Sequence, residues 1–96
     1  MKKIGFIGCG NMAGAIIGGI INSGLLKKEE VMAAEIFDVA RANAEKKFGI
    51  EMTADNKKVA TESEIIVLAV KPQFYQEVIE EIRPIISKDT IVLTIA

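Results

Sequence analysis

Short apolar runs alternate with segments of helical periodicity along the whole chain. Five of these runs are typical of β-strands: Ile4–Ile7, Val31–Ala34, Ile50–Thr53, Ile65–Val70 and Thr90–Ile95. Helical segments separate them: Met12–Ser23, Val39–Phe48, a short helical turn that is capped by Asp55 or Asn56 and reaches about Glu62, and Phe74–Arg83. This alternation predicts βαβ units with right-handed crossovers, and therefore an α/β fold with a doubly wound parallel sheet.

Charged and turn-forming residues mark the ends of these elements. Asp38 is predicted to cap the second helix, and Gly49 lies just past its end. The fourth run, Ile65–Val70, is continuously apolar and bounded by charge, which predicts a strand buried on both faces. Lys71-Pro72-Gln73 ends that strand, and Pro84 breaks the helix that follows.

A glycine motif lies between the first strand and the first helix. Residues Gly8–Ala13 fit the pattern G-x-G-x-x-G/A. Gly8 would permit a tight turn, Gly10 would let a pyrophosphate approach the backbone, and Ala13 is small enough for close packing of helix on strand. Phosphate charge would then lie at the N-terminus of the Met12–Ser23 helix. The motif predicts dinucleotide binding in a Rossmann-type domain; the alternative is a purely structural glycine turn.

An acidic residue follows the second strand, where such domains bind the ribose 2′-hydroxyl of the dinucleotide. Glu35 comes directly after the strand and is the better candidate, while Asp38 is better explained as a helix cap. A carboxylate at the ribose favours NADH, since it would repel the 2′-phosphate of NADPH, although Arg41 lies close enough to compensate. The alternative for Glu35 is a solvated loop carboxylate.

The segment Ala69-Val70-Lys71-Pro72-Gln73 lies at the carboxyl end of the strongest predicted strand. Ligands of open α/β sheets bind outside the carboxyl ends of the strands, at the switch point, here between the first and fourth strands. Pro72 has a fixed φ, so Ala69 to Lys71 would present backbone groups to the nicotinamide half of the ligand. The alternative is an ordinary strand end at which Pro72 opens the next helix.

Composition narrows the function further. The 96 residues suit one domain, and 12 basic against 13 acidic residues leave no basic excess for binding nucleic acid. The absence of histidine excludes catalysis by histidine bases and most zinc sites from this chain. A single cysteine, Cys9, suits a reducing cytoplasm. Although Lys2 and Lys3 precede an apolar stretch, its six glycines argue against a signal peptide or membrane anchor.

Several other reactive side chains have simpler explanations. Cys9 beside the glycine loop is better read as a small buried residue than as a reactive thiol. Tyr75, on the last predicted helix, is expected to have a packing or surface role. Glu77, Glu80 and Glu81 are expected to form a solvated helix face without the convergence that a metal site needs. No catalytic residue and no metal site is therefore predicted within the chain.

Taken together, these elements resemble pyrroline-5-carboxylate reductase, along essentially the whole chain. The resemblance lies in Ile4–Ala13, Thr53–Lys57 and Leu68–Gln73. It implies cofactor-binding roles for two sets of residues: Ile7, Gly8, Cys9, Gly10, Asn11 and Met12 at the pyrophosphate, and Ala69, Val70, Lys71 and Pro72 towards the nicotinamide ribose. It also places Asn56 near the adenosine. Glu35 departs from the family, which often has a small polar residue that holds a 2′-phosphate, so the cofactor is NADP or NAD with Glu35 favouring NADH.

The resemblance implies hydride transfer from NAD(P)H to the C=N carbon of 1-pyrroline-5-carboxylate, giving proline. The family's substrate is held mainly by a carboxyl-terminal helical domain that also forms the dimer, and residues 1–96 contain only the amino-terminal nucleotide-binding domain. We therefore expect the chain to be a truncated, amino-terminal part of a cytoplasmic homo-oligomer. Alone, it should bind nucleotide and turn over poorly or not at all, with no nucleic-acid or membrane partner.

Three other functions remain open at this stage. The same glycine loop serves other reductases, such as a 3-hydroxyacid or a deazaflavin-linked NADP oxidoreductase, against which the Lys71-Pro72 pair argues modestly. A non-catalytic NAD(P)-sensing module would use the same residues, since every candidate residue serves binding. The third alternative is a structural α/β domain that binds no ligand.

Overall fold

The computed structural model of the chain describes residues 1–95 as a five-stranded sheet flanked by helices. The strands are β1 (Lys2–Ile7), β2 (Val31–Ala34), β3 (Glu51–Thr53), β4 (Ser63–Leu68) and β5 (Ile91–Thr94). The α-helices are α1 (Asn11–Asn22), α2 (Asp38–Phe48), α3 (Asn56–Glu62) and α4 (Tyr75–Ile82), and two 3₁₀ turns lie at Lys28–Glu30 and Pro72–Phe74.

All strand pairs are parallel, in the order β3-β2-β1-β4-β5. The predicted doubly wound α/β fold is confirmed. Strand β1 is central, with Ile7 opposite Ala34 on one side and opposite Leu68 on the other. The chain moves outward from β1 in both directions, so the topological switch point lies between β1 and β4, as predicted. The loops that follow β1, β2 and β4 therefore lie together at the carboxyl ends of the strands.

Two buried clusters hold the helices to opposite faces of the sheet. Alternation along a strand divides its side chains between the faces, so that Phe6 enters one cluster and Ile7 the other. The first joins α1 to the sheet: Phe6, Ala13, Ile17, Val31, Ala33, Ile50 and Val67. The second joins α3 and α4 to the other face: Ile7, Met32, Ala34, Val59, Ala60, Ile66, Leu68, Val78 and Ile82.

Strand β4 lies two residues earlier than the sequence pattern predicts. Pairing with β1 sets its limits, because Ser63 lies opposite Lys2 and Leu68 opposite Ile7. The predicted range Ile65–Val70 was therefore wrong at both ends. Its partner β1 begins at Lys2 and ends at Ile7, because the chain turns at Gly8. Ala69 and Val70 consequently belong to the loop at the edge of the sheet.

The two predicted helix caps differ in outcome. Asp38 does not cap α2; Phe37 takes that position, and Asp38 begins the helix with its carboxylate 2.7 Å from the Arg41 guanidinium. For α3, Asp55 is confirmed as the cap, because its carboxylate accepts a hydrogen bond of 2.9 Å from the Lys57 N–H.

The remaining limits differ slightly from the predicted ones. The chain passes through the 3₁₀ turn Pro72–Phe74 before α4 begins, so this helix is shorter than the predicted Phe74–Arg83. Strand β5 lies at the edge of the sheet, and all four of its residues are exposed. Within residues 1–95, no helix is both long and apolar enough to cross a membrane.

Candidate dinucleotide-binding site

The turn after β1 depends on glycine at position 8. Gly8 has φ +92°, a left-handed conformation that side chains rarely adopt, and its N–H donates to the Ala34 carbonyl at 2.9 Å. A Cβ at Gly8 would lie 3.0 Å from the carbonyl carbon and oxygen of Ala69. The glycine loop is thereby fixed between the ends of β2 and β4.

The amino end of α1 faces open space. Gly10 occupies the cap position with φ −86° and ψ −162°, and no side chain caps the helix. Nothing in the described chain lies within 4 Å of the position that a Cβ of Gly10 would take. The first turn contains no acidic residue, and Asn11 and Met12 are exposed. These features leave the first helical N–H groups and the positive end of the helix dipole available to an anion.

Glu35 lies at the end of β2 with its carboxylate beside the glycine loop. One carboxylate oxygen accepts a hydrogen bond of 3.1 Å from the Cys9 N–H, and the other accepts one of 3.2 Å from the Phe37 N–H. The Glu35 N–H donates to the Thr53 carbonyl at 2.9 Å. The side chain is half-buried, so the alternative of a freely solvated loop carboxylate does not describe it.

The Cys9 side chain packs against the first buried cluster but is only partly buried, where the sequence predicts a buried residue. Burial raises the pKa of its thiol, and the negative charge of Glu35 raises it further. At neutral pH the thiol is therefore protonated, which is the unreactive form.

Arg41 reaches back from α2 to the same corner. Its guanidinium donates to the Glu35 backbone carbonyl at 3.0 Å and to the Asp38 carboxylate at 2.7 Å. The sequence suggests Arg41 only as a partner for a 2′-phosphate. Its hydrogen bond to the Glu35 carbonyl is seen only in the structure. Arg41 lies in the first turn of α2, so its side chain reaches back over the loop residues 35–37 that precede the helix.

The segment that follows β4 forms the other side of the candidate site. The Ala69 N–H donates to the Ile7 carbonyl at 2.8 Å, and Val70 Cγ1 lies 3.0 Å from the Cβ position of Gly8. Lys71 and Pro72 are exposed, and Pro72 opens the 3₁₀ turn. This geometry is compatible with both interpretations of the segment. It follows the end of β4 as an ordinary strand end would, and it also lies against the glycine loop, as a segment lining the nicotinamide half of the ligand would.

Asn56 is the first residue of α3, but its side chain is held elsewhere. Its amide N–H donates to the Glu81 carboxylate of α4 at 3.0 Å, and among residues 1–95 no hydrogen bond joins it to Glu35 or to the glycine loop. Glu81 is consequently half-buried, contrary to the prediction of a solvated face, while Glu77 and Glu80 are exposed as predicted.

A cleft of about 780 Å³ runs between α1 and α2 rather than across the strand ends. Of the candidate cofactor-binding residues, it is lined by Cys9, Gly10 and Asn11. The N-terminus of α1 and the Glu35 carboxylate lie at the carboxyl ends of the strands. In the part of the chain that the structure describes, no three carboxylate or thiol side chains gather in a group that would hold a metal ion.

A parallel sheet with this switch point, a glycine loop that opens a helix and an acid at the end of β2 define a Rossmann-type dinucleotide-binding domain. A family model described as "NADP oxidoreductase coenzyme F420-dependent" matches residues 3–96. The chain belongs to this family, whose members use a nicotinamide dinucleotide.

Curated relatives extend the resemblance noted from the sequence. The chain is 36% identical over 93 residues to a pyrroline-5-carboxylate reductase of Glycine max, which covers 97% of this chain and 34% of the relative. It is 40% identical over 95 residues to the enzyme of that name in Escherichia coli K12, covering 99% and 35%. The chain thus spans about a third of the length of the curated relatives it matches.

Solved structures agree with these relatives. A pyrroline-5-carboxylate reductase from Coxiella burnetii superposes with a TM-score of 0.92 at 32% identity, over 99% of this chain and 35% of that one. A pyrroline carboxylate reductase from Plasmodium falciparum, solved with NADP bound, gives 0.82 at 29% identity, over 98% and 33%. The resemblance to the amino-terminal domain of pyrroline-5-carboxylate reductases is confirmed.

Proposed function

We propose that this chain is the dinucleotide-binding portion of an NAD(P)H-dependent reductase that converts 1-pyrroline-5-carboxylate to proline. The observation that carries the proposal is the agreement of sequence and fold: 40% identity to the Escherichia coli enzyme and a TM-score of 0.92 to the Coxiella burnetii structure, each over 99% of this chain. When bound, the reduced nicotinamide supplies the hydride for the C=N carbon.

In this proposal the residues of the site would contact a dinucleotide at four places. Residues 7–12 would hold the pyrophosphate, because the space before Gly10 is open and the first N–H groups of α1 have no side-chain cap. Glu35 would accept hydrogen bonds from the adenosine ribose, and residues 69–72 would lie along the nicotinamide ribose. Asn56 would contact the adenosine with its amide oxygen, since its N–H is engaged by Glu81.

The geometry favours NADH over NADPH. The Glu35 carboxylate is held beside the glycine loop by two backbone N–H groups, so it would face a 2′-phosphate with like charge. Arg41 supplies a cation at this corner, but part of its guanidinium is engaged by Asp38 and by the Glu35 carbonyl. The ion pair with Asp38 partly neutralises the charge that Arg41 would offer to a 2′-phosphate.

The protein holds and orients the cofactor in this proposal, while substrate binding is assigned to residues outside this chain. No acid or base is required of residues 1–96, since a protonated imine accepts hydride readily. We propose that the whole protein is a cytoplasmic homo-oligomer acting on a small molecule. The chain alone is expected to bind nucleotide without appreciable turnover.

Thermal unfolding with NADH and NADPH, added separately at equal concentration, tests the proposal. A ligand at about 100 times its Kd adds roughly 2.7 kcal/mol to the free energy of unfolding, which raises the Tm of a domain this small by several degrees. A larger increase with NADH supports both the site and the role of Glu35. A larger increase with NADPH keeps the site and removes Glu35 from it, and no increase with either contradicts the proposal.

A second candidate is a coenzyme F420-dependent NADP oxidoreductase, which the description of the matching family favours. The names of the relatives that are 31–40% identical favour the proline enzyme instead. Assays of the whole protein distinguish the two. Formation of proline from 1-pyrroline-5-carboxylate with NADH supports the first, while reduction of NADP by reduced F420 supports the second.

A further inference from the structure

Tyr75 lies at the carboxyl ends of the strands, where it joins the start of α4 to the ends of β5 and β4. Its hydroxyl donates to the backbone carbonyl of Ile95, just beyond the end of β5. The Ile95 N–H in turn donates to the Leu68 carbonyl at 3.2 Å. A single side chain at the start of α4 therefore fixes the carboxyl end of β5 beside the carboxyl end of β4.

Tyr75 is also connected to the segment that follows β4. The Tyr75 N–H bonds to the Pro72 carbonyl, which closes the 3₁₀ turn, and its ring packs with Val70 against the buried cluster of that face. Val70 Cγ1 in turn lies against the Cβ position of Gly8. Tyr75, which is bonded to Ile95, and Val70, which lies against the glycine loop, thus pack on the same buried cluster.

We propose that Tyr75 is a positioning residue for the nicotinamide half of the cofactor. Through its hydroxyl it holds the end of β5 and residues 69–72 in fixed relation to the glycine loop. This inference rests on the proposed function, because it assigns residues 69–72 to the nicotinamide ribose. The adenosine half lies on the other side of the switch point, beside Glu35, and is not reached by the contacts of Tyr75.

Replacing Tyr75 with phenylalanine isolates the hydroxyl, because the ring still fills the same space against the buried cluster. The experiment measures the affinity of the wild-type chain and of Y75F for NADH and for ADP, which lacks both the nicotinamide and its ribose. We expect NADH affinity to fall about threefold to tenfold, the effect of one lost hydrogen bond, and ADP affinity to stay unchanged. The amide of Ile95 should also exchange its hydrogen faster.

Val78→Ala provides the matched control for a merely structural role. Val78 is buried in the same cluster, on the same helix, and makes no hydrogen bond through its side chain. The V78A variant should have a lower free energy of unfolding than the wild type and the same ratio of NADH to ADP affinity. A variant that only loses stability is therefore distinguished from one that selectively loses affinity for NADH.

Equal losses for both ligands, or no loss for either, would overturn the role of Tyr75 and leave the proposed function intact. A wild-type chain that binds ADP and NADH equally well would also overturn it. Failure of the wild-type chain to bind either ligand would overturn the proposed function itself. If Y75F does not fold, NMR of the wild-type chain decides: the amide signals of Tyr75 and Ile95 must shift with NADH and stay in place with ADP.

Discussion

A Cβ atom at Gly8 would lie 3.0 Å from the carbonyl carbon and oxygen of Ala69. The glycine loop after β1 therefore packs closely against the backbone of the segment after β4, and Val70 Cγ1 lies at the same distance from that position. This contact lies at the switch point, where the two halves of a dinucleotide would meet. It explains why one residue, Gly8, serves both the turn and the shape of the site.

Replacing Gly8 with alanine should destabilise the fold. The left-handed φ alone costs about 1–2 kcal/mol for a residue with a Cβ, and the contact with Ala69 adds to it. Urea unfolding measures the loss. Gly19→Ala is the control, because Gly19 lies in α1 with open space around it, and alanine there should stabilise by about 0.5–1 kcal/mol. Equal stability of G8A and the wild type would contradict the strain.

Gly10→Ala should separate binding from folding. Its φ of −86° is accessible to alanine and no atom of the described chain lies within 4 Å of the new methyl group, so stability should change by less than about 0.5 kcal/mol. The methyl group would enter the space assigned to the pyrophosphate. NADH affinity should fall about tenfold or more, equivalent to 1.4 kcal/mol. Titration calorimetry of G10A checks this, and unchanged affinity would move the pyrophosphate elsewhere.

Glu35→Gln should shift the cofactor preference towards NADPH. The glutamine carbonyl can still accept from the Cys9 N–H, while the charge that faces the 2′-phosphate is removed. Two unit charges 4 Å apart in water repel by about 1 kcal/mol, so the ratio of NADPH to NADH affinity should rise roughly fivefold or more. Glu45→Gln, an exposed carboxylate on α2, is the control and should leave the ratio as it is. A ratio unchanged in E35Q would place the ribose away from Glu35.

Ser63→Ala should stabilise the protein. Ser63 is 2% exposed, and its hydroxyl oxygen has no hydrogen-bond partner among the described residues. Removing an unpaired buried hydroxyl relieves a desolvation cost of about 1 kcal/mol. Ser87→Ala is the matched control: the Ser87 hydroxyl accepts from the Asp89 N–H at 3.2 Å, so its loss should be neutral or mildly destabilising. A destabilised S63A would show that the hydroxyl has a partner after all.

Stability should fall in acid partly through Glu51. The hydrogen bond from Lys58, and a second from Lys2, lower the pKa of Glu51 below 4.5, with ion pairs of 3.0 and 3.4 Å. A depressed folded pKa stabilises the protein above pH 4.5 and loses that effect as the pH falls through the folded pKa. The difference in free energy of unfolding between wild type and Glu51→Gln should therefore be small at neutral pH and vanish in acid. A difference independent of pH would contradict the ion pair.

Long-range pairing changed what periodicity predicted. The apolar run that ends at Val70 predicts a strand through that residue, yet β4 ends at Leu68 because its partner β1 ends at Ile7. Local sequence carries no information about where the partner strand stops. In the same way, Asp38 satisfies the composition of a helix cap, but its carboxylate is bound by Arg41 one turn later, and Phe37 takes the cap position.

The sequence by itself determined the alternation of strands and helices, the parallel sheet, and the glycine loop that opens α1. These features depend on local physics, because apolar periodicity distinguishes strand from helix. Gly8 is required by the left-handed backbone conformation of the turn, and Gly10 leaves open space before α1. Only the tertiary structure decided which residues far apart in the sequence contact one another. The hydrogen bond from Tyr75 to Ile95 and that from Asn56 to Glu81 join residues 20 and 25 positions apart. Contacts of this kind depend on how whole elements pack, and no local pattern records them.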